Sequence, residues 1–149
     1  MTIDLVELNL PPIQPQLSRA GDDVFIFDDI RKKDILLTNE EWVRQHFISF
    51  LINQCGYPKG LISVEKGLLV NSLAKRSDIL VYSSTGTPWL LVECKSYETT
   101  LNEETIYQAL NYHLTLKVKY IIITNGMEHY CLKVNDNAFE YIDAVPAHE

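Results

Sequence analysis

The chain has 149 residues, 46% apolar and 22% charged, which is the composition of one globular domain rather than of a disordered tail, with no length left for a second catalytic or motor domain. Its formal net charge of −7 argues against broad, non-specific nucleic-acid binding, which rests on Lys and Arg neutralising phosphates. The three cysteines, Cys55, Cys94 and Cys131, lack CxxC spacing. They argue against a disulfide framework or structural zinc, and with an acidic first segment and no apolar run of ~18 residues the expected location is cytoplasmic.

Residues 1–20 carry Pro11, Pro12 and Pro15 among scattered Leu and Ile and read as an extended arm that wraps a partner surface or the body of the domain. Val24–Phe27 and Ile35–Leu37 read as a small hairpin around a charged stretch, so that residues 1–37 form an arm and hairpin ahead of a main body at 38–149. Thr38-Asn-Glu-Glu41 opens a helix with a capping-box pattern, and the helix runs to about Cys55, where Gly56-Tyr57-Pro58 stops it. On a helical wheel Val43, Phe47, Phe50 and Leu51 form the apolar face, Glu40 falls near its middle and Glu41 at its edge, which favours Glu40 as the inward glutamate.

Leu61–Val70, Asp78–Tyr82 and Pro88–Lys95 have strand composition, with turn signals at Asn71-Ser72 and Ser84-Thr85-Gly86. Asn102 opens a second helix through about Lys117, with acid in its first turn. Tyr120–Thr124 is a buried strand, Asn125-Gly126 a hairpin signal, and His129–Val134 and Phe139–Ile142 the last strands. The order predicts an α/β fold with a central mixed sheet flanked by helices, in which the helix crossover makes Pro88–Lys95 and Tyr120–Thr124 parallel neighbours.

The chemistry concentrates in the middle of the chain, where residues 41–95 carry six basic and four acidic groups while both flanks are acidic. Glu93-Cys94-Lys95 is by itself weak evidence, since chance gives on the order of one Glu-x-Lys in such a composition. Strand alternation puts Glu93 and Lys95 on one face with Trp89 and Leu91, and Asp78, Leu80 and Tyr82 on one face of the preceding strand. A hairpin centred on Thr85-Gly86 pairs positions that sum to 171, so Tyr82 faces Trp89, Leu80 faces Leu91 and Asp78 faces Glu93. Two carboxylates opposed at ~4.5–5.5 Å repel unless a cation lies between them, and a divalent ion is a better candidate than Lys95 alone. A structural ion-pair cluster at a strand end accounts for the same residues equally well on spacing alone. His46, His113, His129 and His148 lack metal-ligand spacing, and Cys94 alternates away from Glu93 and Lys95, so none is a first choice for catalysis.

Glu40/Glu41 in a first helix, Ser77-Asp78, Glu93-Cys94-Lys95 and Gln108-Ala-Leu-Asn-Tyr112 together resemble the PD-(D/E)xK, or restriction-endonuclease-like, nuclease superfamily, with Ser77 where the superfamily name has Pro. More narrowly, Glu-Glu-Trp-Val-Arg-Gln at 40–45, Gly56-Tyr-Pro58, Val92-Glu-Cys-Lys95, the Gln108/Tyr112 pair and Thr124-Asn-Gly126 resemble the N-terminal nuclease domain of type I restriction enzyme R subunits, over about residues 38–134. The resemblance implies a Mg²⁺-dependent deoxyribonuclease, with Mn²⁺ as substitute, in which Asp78, Glu93 and the carbonyl of Cys94 hold the ion and Lys95 acts on the attacking water. It further implies that Glu40 or Glu41 supports a second ion or binds the first through water, and that Gln108 and Tyr112 contact substrate phosphate or buttress Lys95. The implied partners are DNA and a separate motor or specificity subunit; the alternative is a catalytically silent nuclease-fold module that binds nucleic acid or protein. Lys59, Lys66, Lys75 and Arg76 are the candidate DNA-backbone contacts.

Overall fold

A computed structural model describes residues 5–70, 73–113, 117–136 and 138–148, with the side chains of 66–70, 73–77, 112 and 113 outside that description. The elements run β1 (Leu17–Ala20), β2 (Asp23–Asp28), β3 (Lys33–Leu36), α1 (Asn39–Asn53), β4 (Ile62–Val70), β5 (Leu73–Tyr82), β6 (Pro88–Cys94), α2 (Glu103–His113), β7 (Tyr120–Thr124), β8 (His129–Asn135) and β9 (Ala138–Ile142). β4 to β9 form one six-stranded sheet in sequence order, mixed because β6 and β7 are parallel across the α2 crossover while every other pair is antiparallel. Leu90 with Tyr120, Leu91 with Ile121 and Val92 with Ile122 are apolar pairs between β6 and β7, as a strand buried on both faces requires.

Alternation sorts the sheet into two cores. Ile79, Val81, Leu90, Val92, Cys94 and Ile122 pack with α1, whereas Leu80, Leu91, Ile121, Ile123 and Leu132 pack with Ile106, Ala109 and Leu110 of α2. The second helix is described over Glu103–His113, and Lys117, where the helix was expected to end, has a left-handed φ of 55°. Asn102 caps it, accepting from the backbone N–H of Thr105 at 2.9 Å.

The N-terminal region is more than a hairpin. β1 adds a strand to β2 and β3, giving a three-stranded antiparallel sheet, and Val24, Ile26 and Leu37 enter the same core as α1. The arm wraps the body: Leu8 is buried, Trp42 Nε1 donates to the Val6 carbonyl at 2.8 Å, and Asn9 N–H donates to the Gly126 carbonyl at 2.8 Å. Gly126 has φ 87°, and a Cβ there would lie 3.0 Å from Leu8 and 3.1 Å from Val43, so the Asn125-Gly126 turn needs glycine both for its backbone and for the arm that crosses it.

This covering explains why α1 is buried nearly all round, including Glu41, Trp42, Arg44 and His46. A wheel drawn on apolar residues alone assumes one buried face, and here there are two. The expectation that Glu40 points inward is therefore corrected: Glu41 is 3% exposed and Glu40 46%. Thr38 does cap the helix, accepting from Glu41 N–H at 3.0 Å, but the Glu41 carboxylate does not close the box, because Arg31 and Arg44 take it.

Candidate functional site

The site lies where β5 and β6 separate. Their ladder pairs Ile79 with Val92, Leu80 with Leu91 and Val81 with Leu90, the predicted register, and then shifts at Val81/Tyr82 so that Tyr82 faces Pro88 and not Trp89. That irregularity near the turn is a bulge, which turn-centred counting does not anticipate. At the other end the ladder stops one pair short of Asp78 and Glu93. The freed Asp78 carboxylate accepts the Cys94 backbone N–H at 2.7 Å through Oδ2, and its Oδ1 accepts from Arg44 of α1 at 2.9 Å. Asp78 therefore turns toward α1, away from the face that simple alternation assigns to it.

Burial, followed by the charge of nearby Glu93, pushes the Asp78 carboxyl up to about 6. Lys95 Nζ lies 3.4 Å from Glu93 Oε1 and is partly exposed. Its position is fixed through the backbone, since Lys95 N–H donates to the Thr124 carbonyl at 2.8 Å, Asn125 donates to the Thr99 carbonyl at 2.8 Å, and Tyr97 donates to Asn39 of α1 at 3.0 Å. The Thr124-Asn-Gly126 motif is thus a strut that holds the segment after Lys95.

The structure brings Asp78, Glu93, Lys95 and the backbone of Cys94 together. The helix glutamates join through Arg44, which reaches Glu40 at 2.9 Å and Glu41 at 2.5 Å. Gln108 is exposed on α2, and no contact among the described residues links it to the carboxylates; the side chain of Tyr112 lies outside the described residues. Cys94 is fully buried in the α1 core, and burial drives its thiol well above the ordinary range, which removes it as a nucleophile. His46 is held in the core against the Trp42 carbonyl, and desolvation lowers its pKa.

Asp28, Arg31 and Glu65 escaped the sequence reading, and Arg44 entered it only within the 40–45 motif, with no role. Arg31 pairs with Asp28 at 2.5 Å, Glu41 at 2.8 Å and Glu65 at 3.5 Å. Burial opposes the charge on Arg44, but Glu41 and Asp78 beside it hold the guanidinium more firmly protonated than usual. The only sequence signal was the Glu40/Glu41 spacing of four and three residues from Arg44, ordinary for a solvated helix face.

Linked together, Asp28, Glu40, Glu41, Glu65, Asp78 and Glu93 set six carboxylates against Arg31, Arg44 and Lys95. No group of three or more His, Cys, Asp or Glu side chains suited to a metal occurs among the described residues. A hard divalent ion of the Mg²⁺ type needs only one or two carboxylates beside water and substrate oxygens, and the repelling Asp78/Glu93 pair in a net acidic surround fits that demand.

The raised Asp78 pKa gives a signed prediction for the metal-free chain. Between about pH 4 and 6 the folded state keeps a proton that the unfolded carboxyl, with its ordinary value of 3.8, has lost, so stability present at low pH declines as pH rises through that window. Thermal melts in EDTA should show this slope in the wild type and a flatter profile in Asp78→Asn. An identical slope in both would assign it to other groups.

The six-stranded mixed sheet, its two helices and the carboxylate–lysine cluster at a parting strand end define an α/β domain with a restriction-endonuclease-like core. The chain belongs to the family described as the type I restriction enzyme R protein N terminus, whose model matches residues 39–146. No curated protein sequence matches it. No helix among the described residues is long and apolar enough to cross a membrane.

Proposed function

We propose that this restriction-family nuclease domain cleaves DNA phosphodiester bonds with Mg²⁺, or Mn²⁺ in its place. The observation that carries the reading is the convergence of Asp78, Glu93 and Lys95 where β5 and β6 part. Asp78 and Glu93 would hold the ion, joined by the Cys94 carbonyl. A bound divalent ion supplies Lewis acidity that offsets the charge of the scissile phosphate. The Lys95 ammonium would orient the attacking water and, by its charge, favour loss of that water's proton to solvent. Glu40, half exposed and paired with Arg44 alone among the described residues, is better placed than Glu41 to reach the ion through water. Gln108 and Tyr112 belong to substrate phosphate or to Lys95.

DNA is the proposed partner, met along the β4–β5 hairpin that bears Lys66, Lys75 and Arg76, residues whose side chains lie outside the described set; Lys59 is engaged by Asp29. A separate motor or specificity subunit is the proposed protein partner. A second reading, a silent module that binds without turnover, is favoured by one observation: Arg44 already neutralises Asp78.

Plasmid and oligonucleotide DNA incubated with the purified chain in Mg²⁺, Mn²⁺ or EDTA separate the two. Cleavage that EDTA abolishes is the expected result. DNA retained in gel shifts with Ca²⁺ but never cut with Mg²⁺ or Mn²⁺ would favour the silent module.

A further inference from the structure

Arg44 stands where four carboxylates meet. Nη1 serves Glu41 at 2.5 Å, while Nη2 lies 2.9 Å from Glu40, 2.9 Å from Asp78 and 3.3 Å from Glu65. Nε is buried without a hydrogen-bond partner among the described residues. A guanidinium Nη carries two protons, so it cannot make three full-strength bonds, and Glu40, Asp78 and Glu65 compete for it. Glu41 anchors the head; the far nitrogen is shared.

Glu65 is the unusual competitor. The β4–β5 register pairs Val64 with Ile79 and Lys66 with Ser77, which sets Glu65 opposite Asp78 across the strands, yet Glu65 adopts φ 52°, a left-handed conformation foreign to a strand interior. Its carboxylate meets both Arg44 and Arg31. Such strain persists only where the surroundings over-determine it, and here the buried Arg44 and the half-buried Arg31 do so.

We infer that Glu65 is a positioning residue acting through Arg44: the guanidinium holds Asp78 while no divalent ion is bound, and Glu65 takes it up when an ion claims Asp78. The inference rests on the ion-binding reading above. It makes Arg44 a resident counter-cation that keeps a repelling carboxylate pair folded, and Glu65 the group that lowers the cost of moving it.

The test is a double-mutant cycle for Mn²⁺ affinity, measured by calorimetry on the EDTA-stripped full chain, with circular dichroism to verify folding. Glu65→Gln should weaken Mn²⁺ binding about tenfold because Arg44 then stays on Asp78, Arg44→Gln should tighten it, and in the Arg44→Gln background Glu65→Gln should matter less than about twofold. An equal loss in both backgrounds overturns the inference, since Glu65 would then act on the ion directly or through its field. If Arg44→Gln does not fold, Arg44→Lys keeps the charge that Glu41 needs but loses the fork, and the same collapse of the Glu65 effect is expected. Asp78→Asn serves as the control: unchanged Mn²⁺ binding there defeats the ion site itself, whereas a weakened control with an additive cycle defeats only the role of Glu65.

Discussion

Replacing Lys95 by Ala is expected to lower DNA cleavage by roughly 10²–10⁴-fold, the usual worth of a positioned proton-transfer group, while Mn²⁺ affinity stays close to that of the wild type. The two effects separate because the ammonium acts on water and phosphate, whereas Asp78 and Glu93 hold the ion. Lys95 Nζ is 3.4 Å from Glu93, so its removal leaves that carboxylate less screened and, if anything, more attractive to a cation. The backbone struts from Thr124 and Asn125 do not involve the Lys95 side chain, so the fold should hold. Cleavage by Lys95→Ala at the wild-type rate would place the chemistry elsewhere.

The largest loss of stability is expected from Glu41→Ala. Glu41 is buried and bonds Arg31 at 2.8 Å, Arg44 at 2.5 Å and Gln45 at 3.0 Å. Its removal takes from the buried Arg44 its one fully buried partner and from Arg31 one of three, and breaking a buried pair costs about 3–5 kcal/mol. For a chain of this size that is a melting temperature lower by roughly 10 °C. Glu41→Gln, which keeps the shape and part of the hydrogen bonding, should fall between. Melting within about 2 °C of the wild type in Glu41→Ala would mean that the network is solvated and contributes little.

These two residues also mark what was legible in the sequence. Local signals carried the fold: alternation defined the central strands, the crossover length made β6 and β7 parallel, and Thr38 and Asn102 capped their helices as their positions suggested. Glu93 and Lys95 were legible for the same reason, being two residues apart on one strand, and the hairpin register brought Asp78 near Glu93 without foretelling its turn toward Arg44. What stayed hidden depends on contacts distant in sequence. The arm and three-stranded sheet bury the second face of α1, which turns Glu41 inward and leaves Glu40 half exposed. Arg31, Glu65 and Asp78 meet Arg44 or Glu41 from three separate elements. Periodicity within one helix cannot register such partners. The left-handed Glu65 breaks local preference outright, since a glutamate in a strand gives no hint of positive φ.

The most direct measurement of the central claim is Mn²⁺ binding by calorimetry to the EDTA-stripped wild type, Asp78→Asn and Glu93→Gln. If the two carboxylates hold the ion, the wild type binds with defined stoichiometry and each variant loses at least about tenfold in affinity, while thermal melts show both still folded. Equal affinity in the wild type and both folded variants would contradict the account.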